Sequence, residues 1–508
     1  MVVKKFLMHM HPHVDDILTR LIILIYGADV FIGAGKVKPV FKWNFTKEDI
    51  REIDQENDKA GILPCACGKN TRFIEYQSTL FNKIRLRGQC SATRAALFLG
   101  ATHEPAVKGL LREINYYDAH KGQERLQLGA IAKLGHNNFP EDNIRVLNRI
   151  GEGLNAIMAD QEFHLSKRVP GEKTLQQFFD QRKNKYADDP RIEAFMAKEV
   201  AVSMQTGKVD GLGRESLTRA GYVLSRIYRA LDREDPKRRK QNLEVARDWA
   251  VFVLDSMFGD QARFWLMADH IRDTKPKPLI IKIVPMLRRE KRKKGEKQKW
   301  RQVNSLKCFT FETDSHHAHS AGFHDNGDIV WARRSTGHCQ VFTSDRVQGL
   351  HLRRVAEMVR WSEMTEAQRA TIIWKRLCTE GNYPGEEKWY YIFETLLNAS
   401  DTHRPDPTRI SDDDFFDILE HGFHPEAVRL WWMKHGIDYK KTVRAGKIVK
   451  ITRRPAPVPP VKTKSKSEAA PKPKTKPETK PETKTKPDKK VATSLNGQPR
   501  RIVQRGRL

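Results

Sequence analysis

No apolar run in the 508-residue sequence reaches the length needed to cross a bilayer. The densest, residues 17–26, is short enough to be a buried helix. The first apolar stretch of that kind follows a His/Asp-rich segment, so no signal peptide is read at the start. Cysteine is scarce. The six residues, Cys65, Cys67, Cys90, Cys308, Cys339 and Cys378, show no framework spacing, and the Cys65-Ala66-Cys67 pair has no second pair to complete a zinc site. Together these absences predict a protein of the reducing cytoplasm with no membrane partner, and they make Asn398-Ala399-Ser400 a loop rather than a glycan acceptor. No sequence repeat recurs at a fixed period, which excludes a solenoid.

Acidic residues are also in deficit, with 63 Asp and Glu against 92 Lys and Arg, for a net charge of +29. The excess is unevenly placed. Residues 453–508 hold 17 Lys/Arg and 4 Asp/Glu, a net +13, which leaves +16 on the rest of the chain. Such a balance favours polyanions, above all nucleic acid or an oligonucleotide, through counterion release. The tail is Pro-, Lys-, Thr- and Glu-rich with few apolar residues; it cannot offset its ordering entropy by burial and is expected to be disordered.

A chain of this length exceeds one ordinary core. Residues 1–125 read as α/β: an opening strand, the helix over 17–26, a second strand at Ala28-Asp29-Val30-Phe31-Ile32-Gly33, and a small-residue helix at 88–100 ended by Gly100. Gly33-Ala34-Gly35-Lys36 lacks the full phosphate-loop spacing. Leu110, Leu111, Ile114, Tyr116, Tyr117 and Asp118 belong to a further helix. Residues 126–275 are helical, with apolar residues at three- and four-residue steps over 201–204, 217–231 and 245–267 and breaks at Gly211-Leu212-Gly213 and Asp235-Pro236. Residues 276–450 return to α/β, with strands at 278–284, 307–312 and 328–333 and a hairpin turn at Ser335-Thr336-Gly337. Ser411 opens a helix ahead of three aspartates. The expected fold class is therefore α/β, two α/β domains joined by a helical connector, followed by the disordered basic tail 451–508.

The chemistry concentrates in His9-Met10-His11-Pro12-His13-Val14-Asp15-Asp16, where three imidazoles and two carboxylates crowd a strand-to-helix corner. Ligands bind at the carboxyl ends of strands in α/β sheets, and imidazole with carboxylate suits divalent zinc, manganese or iron. The alternative is a polar loop in which Asp15 and Asp16 cap the helix. Asp16 is the better capping residue of the two.

The order of these segments resembles the DHH-type phosphoesterases, and within them the melanocyte-proliferating-gene type linked to 3′–5′ RNA exonuclease activity. Members open with a strand, then His-x-x-Pro-Asp-x-Asp, then a helix. Here His9, Pro12 and Asp15 keep their positions and His13 replaces the first Asp. The resemblance covers residues 1 to about 440. It implies that His9, His13, Asp15 and Asp118 are metal ligands, with Asp15 and Asp118 catalytic. The cofactor it implies is a divalent ion, Mn²⁺ first and Mg²⁺ or Zn²⁺ otherwise. Ser91-Ala92 falls at the family's small-residue helix. The element that names the superfamily departs from the pattern: Ile74, Glu75 and Tyr76 stand where Asp, His and His are expected, and Ile cannot ligate. A two-metal site needs ions about 3.5–4 Å apart, and Asp49, Asp54, Asp58 or Glu75 would have to complete a rearranged one. The resemblance implies a metal-dependent phosphodiesterase acting on RNA or short oligonucleotides. The altered element supports the alternative, a catalytically degenerate nucleic-acid-binding protein.

Candidate substrate contacts lie later. Residues 288–301 hold nine Lys/Arg and two Glu. Within them Arg292, Lys293 and Lys294 offer phosphate contacts and Trp300 a stacking surface. Arg334 and His338 flank the hairpin turn, where the resemblance implies a substrate-facing position. His316, His317, His319 and His324 match no zinc spacing and read as a polar loop.

Overall fold

The computed structural model describes residues 3, 5–42, 62–64, 90–120, 124–186, 188–205, 215–290, 299–371, 377–383, 386–398 and 406–436. Among the described residues, backbone packing groups those up to Val428 as one compact unit and assigns those from Arg429 on to another. The expected disordered tail lies outside the described residues.

The chain opens with β1 (Lys5–His9), the middle strand of a three-stranded sheet. β2 (Pro39–Lys42) and β3 (Ile62–Pro64) flank it, both parallel, with Leu7 opposite Val40 on one side and Pro64 on the other. Phe6, Leu7 and Met8 are all buried, as expected of a parallel strand covered on both faces. α1 (Val14–Tyr26) follows and is buried along its length from Val14 to Ile23. It stops at Gly27, where a Cβ would meet the Ile23 carbonyl at 2.7 Å and the Phe31 ring at 2.8 Å. The strand expected over residues 28–33 does not form. Those residues turn back on α1 through Phe31 N–H to Gly27 O, 2.7 Å, and Gly33 sits at φ +84, while Ile32 O accepts from Val3 N–H at 2.8 Å. The second strand is β2, further along.

α2 (Ser91–Phe98) packs on α1, and α3 (Pro105–His120) follows after Gly100 at φ +68. Six helices come next: α4 (Leu128–Asn138), α5 (Asn143–Phe163), α6 (Leu175–Arg182), α7 (Pro190–Met204), α8 (Ala220–Glu234) and α9 (Arg239–Thr274). One apolar core runs without interruption from Val3 and Phe6 through Leu154 and Val223 to Met257. The opening strand and the helical stretch are therefore walls of the same interior. A polar clasp is set into it. Glu113 of α3, fully buried, accepts from Leu217 N–H at 2.8 Å, Thr218 N–H at 3.2 Å, Ser216 Oγ at 2.5 Å and Thr218 Oγ1 at 2.7 Å. The clasped segment also bonds the start of α4, through Leu128 N–H to Thr218 O and Ala220 N–H to Leu126 O.

α9 is 36 residues, about 54 Å at 1.5 Å per residue. Its Trp249 and Val253 belong to the first core, while Met267, Ala268 and Ile271 form a second with Phe309, Phe311 and Val330. That second core lies against a seven-stranded sheet of order β4-β5-β6-β7-β10-β9-β8. Its strands are β4 (Leu279–Arg289), β5 (Trp300–Glu312), β6 (Ile329–Arg333), β7 (Cys339–Thr343), β8 (Gly381–Tyr383), β9 (Glu386–Ile392) and β10 (Thr395–Leu397). Only β5 and β6 pair in parallel, joined by α10 (Ala318–His324); the other neighbours are antiparallel. The far face carries α11 (Arg353–Glu363) and α13 (Asp412–His421), with Phe415 of α13 against Trp331 and Trp389; α12 (Glu366–Thr371) and α14 (Pro425–Lys434) complete the described helices. The fold is mixed α/β, and among the described residues no helix is long and apolar enough to cross a membrane.

Candidate metal centre

The His/Asp corner sits at the carboxyl end of β1, the central strand of the 2-1-3 sheet, where parallel α/β sheets form their ligand crevice. After His9 the chain runs through residues 10–12 and enters α1 with His13 as an extended N-cap, ψ 171°. Groups from three directions hold this loop. Met10 N–H donates to Lys42 O of β2 at 2.9 Å. His136 of α4, buried, donates from Nε2 to Pro12 O at 3.1 Å and stacks on His11 with ring centroids 4.9 Å apart. Asn143, the first residue of α5, donates from Nδ2 to the Met10 sulfur at 3.2 Å.

The two carboxylates are fixed differently. Asp16 is fully buried and its Oδ2 accepts the His13 backbone N–H at 2.8 Å, the capping role expected for it. Asp15 is 8% exposed, and its Oδ2 accepts from Ser91 Oγ of α2 at 2.8 Å. Thr19, one turn along α1, bonds Ser91 Oγ at 3.0 Å and the Asp15 carbonyl at 2.7 Å. The small side chains of α2 let it approach α1 closely enough for this pairing. Both carboxylates lie in the first turn of α1, where the helix dipole favours negative charge.

His13, Asp15 and Asp16 each bring one ligand atom to a place where all lie within 4.8 Å of one another. One imidazole nitrogen and two carboxylate oxygens form a donor set suited to zinc, manganese or iron, and their two negative charges balance a divalent ion. His13 is exposed while the carboxylates are held from within, so the set opens towards solvent on the imidazole side. The residues therefore fit such an ion. It is the group of this kind found among the described residues.

The other expected site residues are distributed as follows. His9 is the buried last residue of β1 and does not belong to the 4.8 Å group. Asp118 lies near the end of α3, and its side chain is outside the described residues, as are Asp49, Asp54, Asp58, residues 74–76 and Arg292, Lys293 and Lys294. Trp300 opens β5 and is 48% exposed. Arg334 and His338 close the β6–β7 turn through Arg334 N–H to His338 O; Arg334 Nη2 meets His316 Nδ1 at 3.0 Å and His338 Nδ1 meets Thr336 Oγ1 at 2.8 Å. The histidines expected in a polar loop are instead in and beside α10. Ala318, Ala321 and Gly322 let this short helix seat on Phe309, Phe311 and Val330. His317 Nε2 pairs with buried Asp260 of α9 at 3.1 Å, and His319 stacks on Phe342 at 4.4 Å. Burial, with Lys133 and His317 adding like charge, pushes the His319 imidazole down to about 4.

Thr19, His136 and Asn143 escaped the sequence reading. Thr19 had a signal, since it stands one helical turn from Asp15. The other two are joined to the loop across 124 and 133 residues, with nothing local to mark them. Compared with known proteins, the chain matches no family model, no curated protein and no solved structure, so its site stands on its own geometry.

Proposed function

We propose that the corner is the divalent-metal centre of a DHH-like phosphoesterase acting on phosphodiesters of RNA or short oligonucleotides. The observation that carries this reading is the convergence of His13, Asp15 and Asp16 within 4.8 Å at the carboxyl end of the central parallel strand. The sequence pattern of His9, Pro12, His13 and Asp15 gives the class of chemistry, and the resemblance it carries implies Mn²⁺ first, with Mg²⁺ or Zn²⁺ otherwise. His13 and Asp15 would hold the ion, with Asp16 dividing its oxygens between the ion and the helix cap. His9 and Asp118 enter as ligands through the resemblance alone, His9 lying outside the 4.8 Å group and the Asp118 side chain outside the described residues. A bound divalent ion would supply activation of water and neutralisation of phosphate charge.

The chain's own residues would orient these donors. Ser91 and Thr19 fix the Asp15 carboxylate, so that it meets a ligand without first losing rotamer freedom. His136 holds the Pro12 carbonyl and through it the backbone position of His13. Lys and Arg of the 276–450 region, a substrate-binding domain in this reading, would meet the phosphates.

The altered residues Ile74, Glu75 and Tyr76 favour a second reading, a nucleic-acid-binding protein that keeps the corner without turnover. One experiment separates them: Mn²⁺-dependent release of nucleotides from a single-stranded oligoribonucleotide. The phosphoesterase reading expects release that Asp15→Asn lowers by about 100-fold or more, the usual scale for losing a ligand or its support. Salt-sensitive binding without release would support the binder. Release that Asp15→Asn leaves unchanged would overturn the site.

A further inference from the structure

The β4–β5 hairpin carries a surface that the corner at β1 does not use. Its distal half has its own register after a bulge between Lys282 and Met286: Leu287 opposes Gln302 and Arg289 opposes Trp300. Residues directly opposite share a face, and residues two apart repeat it about every 6.8 Å. Leu287, Arg289, Trp300, Gln302 and Asn304 therefore project from one side. All five are exposed, Leu287 by 45% and Trp300 by 48%.

Further along, the same face holds buried Leu306 and Cys308 and, beyond them on β6, Trp331 under α13. The sheet thus continues past its helical cover as a bare ribbon. The ribbon is also braced. Residues 346–348 bond the outer edge of β4 through Arg289 N–H to Arg346 O at 2.7 Å and Gln348 N–H to Leu287 O at 2.8 Å. Arg289 Nη2 meets Asp345 at 2.8 Å, in a pair exposed on both sides.

We propose that this face is a platform for single-stranded nucleic acid, with Trp300 stacking on a base, Leu287 beneath its edge, Gln302 and Asn304 meeting base edges, and Arg289 meeting a phosphate. Charge complementarity sets the sign of the partner: the sequence from 288 to 301 holds nine Lys/Arg and two Glu. The two amides set its class. Inserted into a lipid surface, Gln302 and Asn304 would lose water without gaining partners, whereas base edges offer them donors and acceptors. A duplex hides the π-faces of its bases, so an exposed indole selects a single strand. The proposal is independent of the metal centre.

The test is fluorescence anisotropy of the full chain with a labelled single-stranded oligothymidylate of about 12 nucleotides. It is run at low and at physiological salt, because the basic tail adds a salt-sensitive background. Trp300→Ala is expected to weaken binding about tenfold at both salts, the scale of one lost base stack. Trp300→Phe is expected to keep most of the affinity and Gln302→Ala to lose severalfold, with unchanged melting temperatures. Phe393→Ala, an equally exposed aromatic elsewhere on the sheet, is expected to change nothing. Three results would overturn the proposal: wild-type affinity in Trp300→Ala, equal and equally Trp300-dependent binding to a duplex, or Trp300-dependent binding to phosphatidylserine–phosphatidylcholine vesicles with oligonucleotide binding untouched.

Discussion

Replacing Glu113 by alanine tests whether the polar clasp holds the first core together. The carboxylate is fully buried and accepts from two backbone N–H groups and two hydroxyls. The loss is not the sum of all four bonds. Thr218 N–H has a second acceptor in Ser216 Oγ at 3.3 Å, and the hydroxyls can turn towards each other, 3.4 Å apart. Leu217 N–H has no such substitute acceptor within the clasp, and a buried donor stranded in this way costs about 1–3 kcal/mol. The one missing methylene adds about 0.8 kcal/mol. The expected loss is about 2–4 kcal/mol, a large part of the roughly 5–15 kcal/mol that holds a typical domain folded. Urea unfolding followed by far-UV circular dichroism reads the total. Hydrogen exchange reads the mechanism, since protection at Leu217 and Thr218 should fall further than at Leu154 in the same core. A loss below about 1 kcal/mol, or protection that falls uniformly, would refute the clasp as the cause.

Two further perturbations concern pH. His319 is held below its ordinary value of 6.5, so the folded chain prefers the neutral imidazole; the stability this gives is complete above pH 6.5 and is lost as pH falls towards 4. The loss is up to about 3 kcal/mol, and it should be absent in His319→Gln; wild-type stability that is flat over this range contradicts the burial seen here. Arg191 joins α7 to α9, donating to Asp269 at 2.7 Å through each of two nitrogens and to Asp189 at 2.7 Å. These bonds hold both carboxyls below the ordinary 3.8, so their contribution persists above that pH and disappears below it. Arg191→Ala should raise the midpoint of acid unfolding, and an unmoved midpoint would show the pair to be ornamental.

The sequence marked out what is local and periodic. β1, the buried α1, the stop of α2 at Gly100 and the β6–β7 turn at Gly337 were all legible, because each rests on a short apolar pattern or a backbone angle that few residues adopt. The nearness of His13 to Asp15 was legible for the same reason, being set by one helical turn, whereas Asp16, expected only to cap the helix, also joins the group. The strand expected over residues 28–33 failed although Val30 and Ile32 suit a strand, because the N–H groups of Val30 and Phe31 close a turn onto Gly27 O. The α10 histidines were misread because their setting depends on partners such as Asp260 and Phe342, brought by distant elements. Ser91 was placed near the corner by resemblance alone, and its bond to Asp15 spans 76 residues.

The length of α9 has a mechanical consequence. A helix is stiff along its axis, and this one presents Trp249 and Val253 to one interior and Met267 and Ile271 to the other. It works as a shared beam. A strain that tilts one end by a few degrees reaches the other as a displacement of several ångströms, on the geometry of an element about 54 Å long. Neither interior can loosen without disturbing a helix that walls the other.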